Sequence, residues 1–190
     1  MAVKTFTTGE VLTAADTNTY LANSGLVYIA QTVAGSGAAT ITLDNIFTAT
    51  YNAYKIIASG GTTSSTNAFT MQLLDNTGAA VTTGYYETFI YSAYSGTTVL
   101  AANGNNIANF QRFGGAIATS GAYGSCEIIN PFAATPTLYY SSPRIDAAGG
   151  NAGYSAGQQS SASSMRGVRI TPSAGTVTGV TLTAYGYRLG

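Results

Sequence analysis

The chain begins with helical punctuation and then changes period. In FTTGEVLTAADTNTYLANSG, residues 6–25, Thr13 stands as a helix N-cap whose hydroxyl can accept from the free amide of Asp16. The Asp16 carboxylate is spaced to reach back, and its charge suits a helix N-terminus. Ala14 and Ala15 favour the first turn, and Asn23-Ser24-Gly25 supplies stop signals. These signals predict about nine helical residues, below the roughly 12–15 at which an isolated helix becomes marginal. Its apolar side chains, chiefly Tyr20 and Leu21, are too few to form a core. Such a helix needs a partner surface, either its own β-domain or another protein.

From Leu26 onward the apolar period is two. LVYIAQT (26–32), ATITL (39–43) and AYKIIAS (53–59) have strand composition. AFTMQLLD (68–75) sets Phe69, Met71 and Leu73 against Thr70, Gln72 and Leu74, then runs into a tight turn at Asn76-Thr77-Gly78. YYETFIYSAY (85–94) places Tyr85, Glu87, Phe89 and Tyr91 on one face. NIANFQRF (106–113), SCEIIN (125–130), PTLYYSSPRID (136–146) and MRGVRI (165–170) follow. In GVTLTAYGYRL (179–189), Val180, Leu182 and Ala184 point inward, with Thr181, Thr183, Tyr185 and Tyr187 outward. Two stretches lack strand alternation, residues 96–109, with Asn103-Gly104-Asn105-Asn106 at their centre, and residues 146–164. Both are expected to be loops. The pattern predicts an all-β fold, an antiparallel, jelly-roll-like sandwich over residues 26–190, preceded by a helical segment within residues 1–25.

Composition sharpens this picture. The chain has 190 residues, enough to bury a core without staples. Only 7% of them are charged, far below the roughly 25% of an average soluble chain. Ser and Thr make up about a quarter of the sequence and carry the polarity instead. Formal net charge is zero and the seven basic residues are scattered, so no stripe exists for a phosphate backbone and nucleic-acid binding is not expected. A surface this poor in charge tends to associate. MAVKTFTTGE has no long apolar run, and no segment approaches the roughly 18 apolar residues of a membrane span. The expectation is a protein made in a cytoplasm without a signal peptide and without membrane insertion.

Candidate chemistry is sparse. There is no histidine, which removes the commonest general base and metal ligand. Cys126, the single cysteine, reads as a small buried apolar residue. The seven acids show no metal-loop spacing. Glu87 and Glu127 form the one carboxylate pair on predicted strands, and they would have to converge in space to act as a glycosidase dyad. The bland reading, two strand carboxylates with hydrogen bonds, outweighs it. Neither catalysis, a metal nor a cofactor is expected.

Tyrosine is the informative residue: there are 14, with no tryptophan, amid abundant Ser, Gly and Asn. Tyr offers wide amphipathic contact with few rotatable bonds, and Ser, Gly and Asn add adaptable hydrogen bonding. The alternative is that the tyrosines cap the ends of the sandwich, rings in the core and hydroxyls in water.

FTTGEVLTAADTNTYL (6–21) is similar to the start of many tail-fibre and minor tail proteins of tailed bacteriophages, notably those of cyanobacteria and marine bacteria. IINPFAATPT (128–137) and RITPSAGTVTGVTLTAYGYR (169–188) resemble a β-sandwich domain at the ends of such proteins, as does the strand–turn–strand–Gly-Tyr-Tyr pattern of residues 54–86. The resemblance implies a virion protein, a short tail fibre or receptor-binding knob, assembled as a homotrimer. It implies anchoring to another virion protein through Phe6, Leu12, Tyr20 and Leu21. The Tyr-, Asn-, Gly- and Ser-rich loops and the residues beside them are then expected to contact a host surface polysaccharide. The candidates there are Tyr91, Tyr94, Asn103, Asn105, Asn106, Tyr123 and Tyr154. A capsid decoration protein or head fibre is the alternative, and a polysaccharide depolymerase a more distant one.

Overall fold

The structure, a computed structural model, describes residues 7–11, 13–16, 25–118, 121–145 and 150–187. The expected helix shrinks to one turn among these residues, α1 (Ala14–Asp16), so no nine-residue helical anchor is seen. Ala14 and Ala15 are exposed, and a single turn fixes three residues in return for one hydrogen bond. The Asp16 side chain, and with it the proposed capping pair, lies outside the described set, as do Phe6, Leu12, Tyr20 and Leu21. Before α1 the chain makes a turn in which Glu10 N donates to Thr7 O at 3.0 Å, with Gly9 at φ 88°. The Glu10 carboxylate accepts from Thr7 N at 3.1 Å.

Among the described residues, everything after Gly25 is strand, turn or irregular loop. The strands are β1 (Leu26–Val33), β2 (Ile41–Leu43), β3 (Ala53–Gly60), β4 (Thr62–Thr63) and β5 (Asn67–Leu74). They continue as β6 (Tyr85–Ala93), β7 (Val99–Ile107), β8 (Phe110–Ile117), β9 (Gly121–Ile129) and β10 (Thr137–Ser141). The last are β11 (Arg144–Ile145), β12 (Asn151–Gln159), β13 (Gly167–Pro172), β14 (Val177–Thr178) and β15 (Thr181–Tyr187). Thirteen of them form one branched sheet, and β4 and β14 pair separately. The pairings are antiparallel, as short strands joined by tight turns require.

The branch is at β9. Along one side it pairs with β3 from Ala122 to Ile129, and β3 leads on to β15 and β1. Along the other side its first half, Gly121–Gly124, pairs with β8, and its second half, Cys126–Ile129, pairs with β10. From β8 the order continues β5, β13, β2; from β10 it continues β12, β6, β7. The two arms face each other across the core. Cys126 Sγ of β9 lies 3.9 Å from Met71 Sδ of β5. Phe110 of β8 stacks on Tyr139 of β10 at 4.1 Å between centroids, and Tyr85 of β6 meets Phe110 edge-on.

Alternation was read correctly where both faces differ. Phe69, Met71 and Leu73 are fully buried, as are Val180, Leu182 and Ala184. The Asn76-Thr77-Gly78 turn is present, with Gly78 at φ 87° and Asp75 Oδ1 accepting from the amides of Thr77 and Ala79. The two expected loops are corrected: residues 99–107 form β7 and residues 151–159 form β12. Their Gly, Asn and Ala carry little intrinsic strand preference, and pairing with β6 overrides it. At Gly157 an added Cβ would sit 2.2 Å from the Tyr86 carbonyl oxygen. The small residues that looked like loop chemistry permit a close approach of strands.

Candidate functional site

The registers align one row of side chains across eight strands. Tyr28 of β1 faces Tyr185 of β15, and Tyr185 faces Lys55 of β3. Lys55 faces Glu127 of β9, which faces Tyr140 of β10. Beyond Tyr140 come Ala156 of β12, Thr88 of β6 and Asn103 of β7. Eight strands at the usual spacing span roughly 34 Å. Every one of these residues is exposed or half-buried, whereas their chain neighbours Tyr54, Ile56, Cys126, Ile128 and Tyr139 are buried. The row marks the outer face of the sheet.

Rings and polar groups are interleaved along it. Tyr28 and Tyr185 meet edge-on at 6.1 Å between centroids. Tyr140 and Tyr154 lie 6.5 Å apart, tilted by 34°, over a depression of about 290 Å³ that also touches Lys55, Ser125, Glu127 and Ser142. Beyond them a shallower trough of about 630 Å³ runs between Tyr86, Thr88, Asn103, Asn105, Leu138 and Gln158. The Tyr187 hydroxyl donates to Glu127 Oε1 at 2.6 Å. Burial, and then that carboxylate bond, push the Tyr187 hydroxyl up to about 12, so it remains a donor at any physiological pH.

The seven sequence candidates separate on this map. Asn103, Asn105, Tyr123 and Tyr154 lie on the outer face or along its rim, and Tyr154 is 49% exposed. Tyr94 is exposed just past the end of β6 and donates its backbone N–H to Gly150 O. The other two make contacts within the fold. Tyr91 is half-buried and stacks on Phe89 at 4.7 Å on the other side of β6. Asn106, at φ 55°, accepts from Gly84 N through Oδ1 and closes the β6–β7 end. Tyr140, Lys55, Tyr86 and Gln158 share this face and were not among the candidates; period-two alternation in residues 136–141 is the signal that sets Tyr140 opposite the buried Tyr139. Three tyrosines serve the interior instead: Tyr54, Tyr85 and Tyr139 are fully buried and hydrogen-bonded through their hydroxyls.

The two candidate carboxylates do not meet. Glu127 is on the outer face, while Glu87 is buried on the inner one, so they cannot flank one glycosidic bond. Glu87 instead mends the branch of the sheet. Where β8 leaves β9, the Gln111 amide lacks a strand partner there and donates to Glu87 Oε2 at 2.6 Å. Ser155 Oγ donates to Glu87 Oε1 at 2.6 Å. Beside it Tyr139 Oη donates to Ser141 Oγ, which donates to the Arg112 carbonyl at 2.6 Å. Burial raises the Glu87 carboxyl above its ordinary range against the pull of those bonds and of Arg112. Cys126 is buried, and burial pushes its thiol up, as expected for an inert core residue. Among the described residues no cluster of three or more His, Cys, Asp or Glu is placed to hold a metal.

Comparison with known proteins identifies no relative: no family model matches the chain, and neither does any curated protein or solved structure.

Proposed function

We propose that this chain is an adhesive appendage of a tailed-phage virion, and that the outer face of its sheet binds a host surface polysaccharide. The observation that carries the reading is the row from Tyr28 to Asn103, with its flanking depressions. A sugar ring has an apolar C–H face rimmed by hydroxyls. Tyrosine rings match the face, while carboxylate, ammonium and amide groups match the rim. A row crossing eight strands suits a chain of sugars rather than a single one. Two charged side chains along it, Lys55 and Glu127, suit a largely neutral polymer. In this reading the folded-over sheet is a jelly-roll-like head, and residues 1–25 dock it onto the particle, as the resemblance of residues 6–21 implies. On the sheet face Tyr140 and Glu127 join the candidates Tyr154 and Asn103 as the proposed contact residues.

The test is competition. Purified protein added to host cells lowers adsorption of the phage, and the Tyr140→Ala/Tyr154→Ala variant, folded by circular dichroism, does not. If wild-type protein neither binds the cells nor slows adsorption, the adhesive reading fails and shell decoration takes its place.

A further inference from the structure

We infer that β7 is a self-pairing edge and that two copies of this chain join there through a two-fold axis. Among the described residues the branched sheet ends at four strands: β1, β2, β7 and the two-residue β11, which pairs with β12 and packs on β8. β1 and β2 lie side by side, so those two ends flank one another. β7 stands apart: among the described residues it pairs with β6 alone.

A strand edge carries a row of backbone donors and acceptors that another strand can complete. Such edges are usually blunted by charge, by proline or by covering segments. VLAANGNNI contains neither a charge nor a proline, and the preceding Tyr94–Thr98 is uncharged as well. The bulge opposite Tyr85–Glu87 confines regular geometry to Val99–Gly104. Within that segment Val99 is 68% exposed and Leu100 47%, on opposite faces of the strand.

These features select a second copy as the occupant. An antiparallel edge is complementary to itself under a two-fold rotation, donor meeting acceptor along both strands. A charged edge would repel its own copy; this one does not. Pairing centred near Ala101 covers Val99 and Leu100 of both chains at once, one on each face of the enlarged sheet. Because a two-fold pairing uses the same edge on both copies, the assembly closes at two, in place of the homotrimer that the resemblance implies. The inference is independent of the adhesive reading, because it rests on the edge and not on the tyrosine row.

Sedimentation of the full chain over a range of concentrations tests it. A reversible monomer–dimer equilibrium is expected, and Ala101→Lys, which brings two ammonium groups together at the axis, raises its dissociation constant by roughly tenfold or more. Ala101→Cys provides a second reading, since Cys126 is buried: mild oxidation crosslinks it into dimers. A monomer at all concentrations, a trimer, a dimer indifferent to Ala101→Lys, or an uncrosslinked Ala101→Cys would each overturn the pairing.

Discussion

Glu87 shows what a lone carboxylate does inside a fold this poor in charge. Its two oxygens satisfy the Gln111 amide, beyond the end of the β8–β9 pairing, and the buried Ser155 hydroxyl. Because burial raises its folded pKa, the sign of its linkage is opposite to that of a paired surface acid. Stability is full below the unfolded glutamate value, about 4.3, and is lost as pH rises through the raised folded value. Asp44, held low chiefly by its Arg166 bond, and Asp75, held low by Thr77, act with the reverse sign at more acid pH. Melting temperature therefore falls from about pH 4 upward, and Glu87→Gln flattens that slope. A wild-type melting temperature that is flat or rising over this interval contradicts the role. Removing the side chain in Glu87→Ala orphans the Gln111 donor and costs on the order of 1–3 kcal/mol in denaturant unfolding. Tyr91→Ala separates packing from binding: the Phe89 stack is lost and stability drops by about 1 kcal/mol or more, while saccharide binding is unchanged.

At the scale of elements, β12 and β6 hold the outer face together, and the glycines of β12 set their spacing. A Cβ at Gly153 would lie 2.1 Å from the Ile90 carbonyl oxygen, and one at Gly157 lies as close to β6. Gly157→Val forces the strands apart and is expected to destabilise by roughly 1–3 kcal/mol, measured as a lower denaturant midpoint. This is also where sequence reading stopped short. Strands with apolar alternation, such as β5 and β15, were legible because one face is fully buried and the other mostly half-buried, although Thr183, read as outward, is covered. β7 and β12 were not, because their strand character comes from pairing partners far along the chain. The same limit hid the row of the candidate site. Tyr140 and Glu127 were each visible, but their adjacency depends on the β9–β10 register, which no local pattern states. Of the opening helix only the turn Ala14–Asp16 is seen among the described residues, since capping signals mark where a helix can start but not whether it has a surface to pack on.

For the whole molecule, pairing through β7 places two outer faces in one continuous sheet. A polymer that touches both gains avidity without any new contact chemistry, which suits weak hydroxyl and aromatic binding. With few charges along the face, that binding changes little from low to high salt, as titrations at several ionic strengths can show. Removing residues 1–25 leaves β1 intact from Leu26, so the β-domain keeps its cooperative melt but no longer joins particles. Incorporation of the truncated protein at normal occupancy contradicts the anchor. The central claim is the tyrosine row, and calorimetric titration of the full chain with polysaccharide extracted from the host surface tests it most directly. The account predicts saturable binding that Tyr140→Ala/Tyr154→Ala weakens by at least about tenfold with the fold retained. Binding of equal strength in that variant, or none in the wild type, contradicts it.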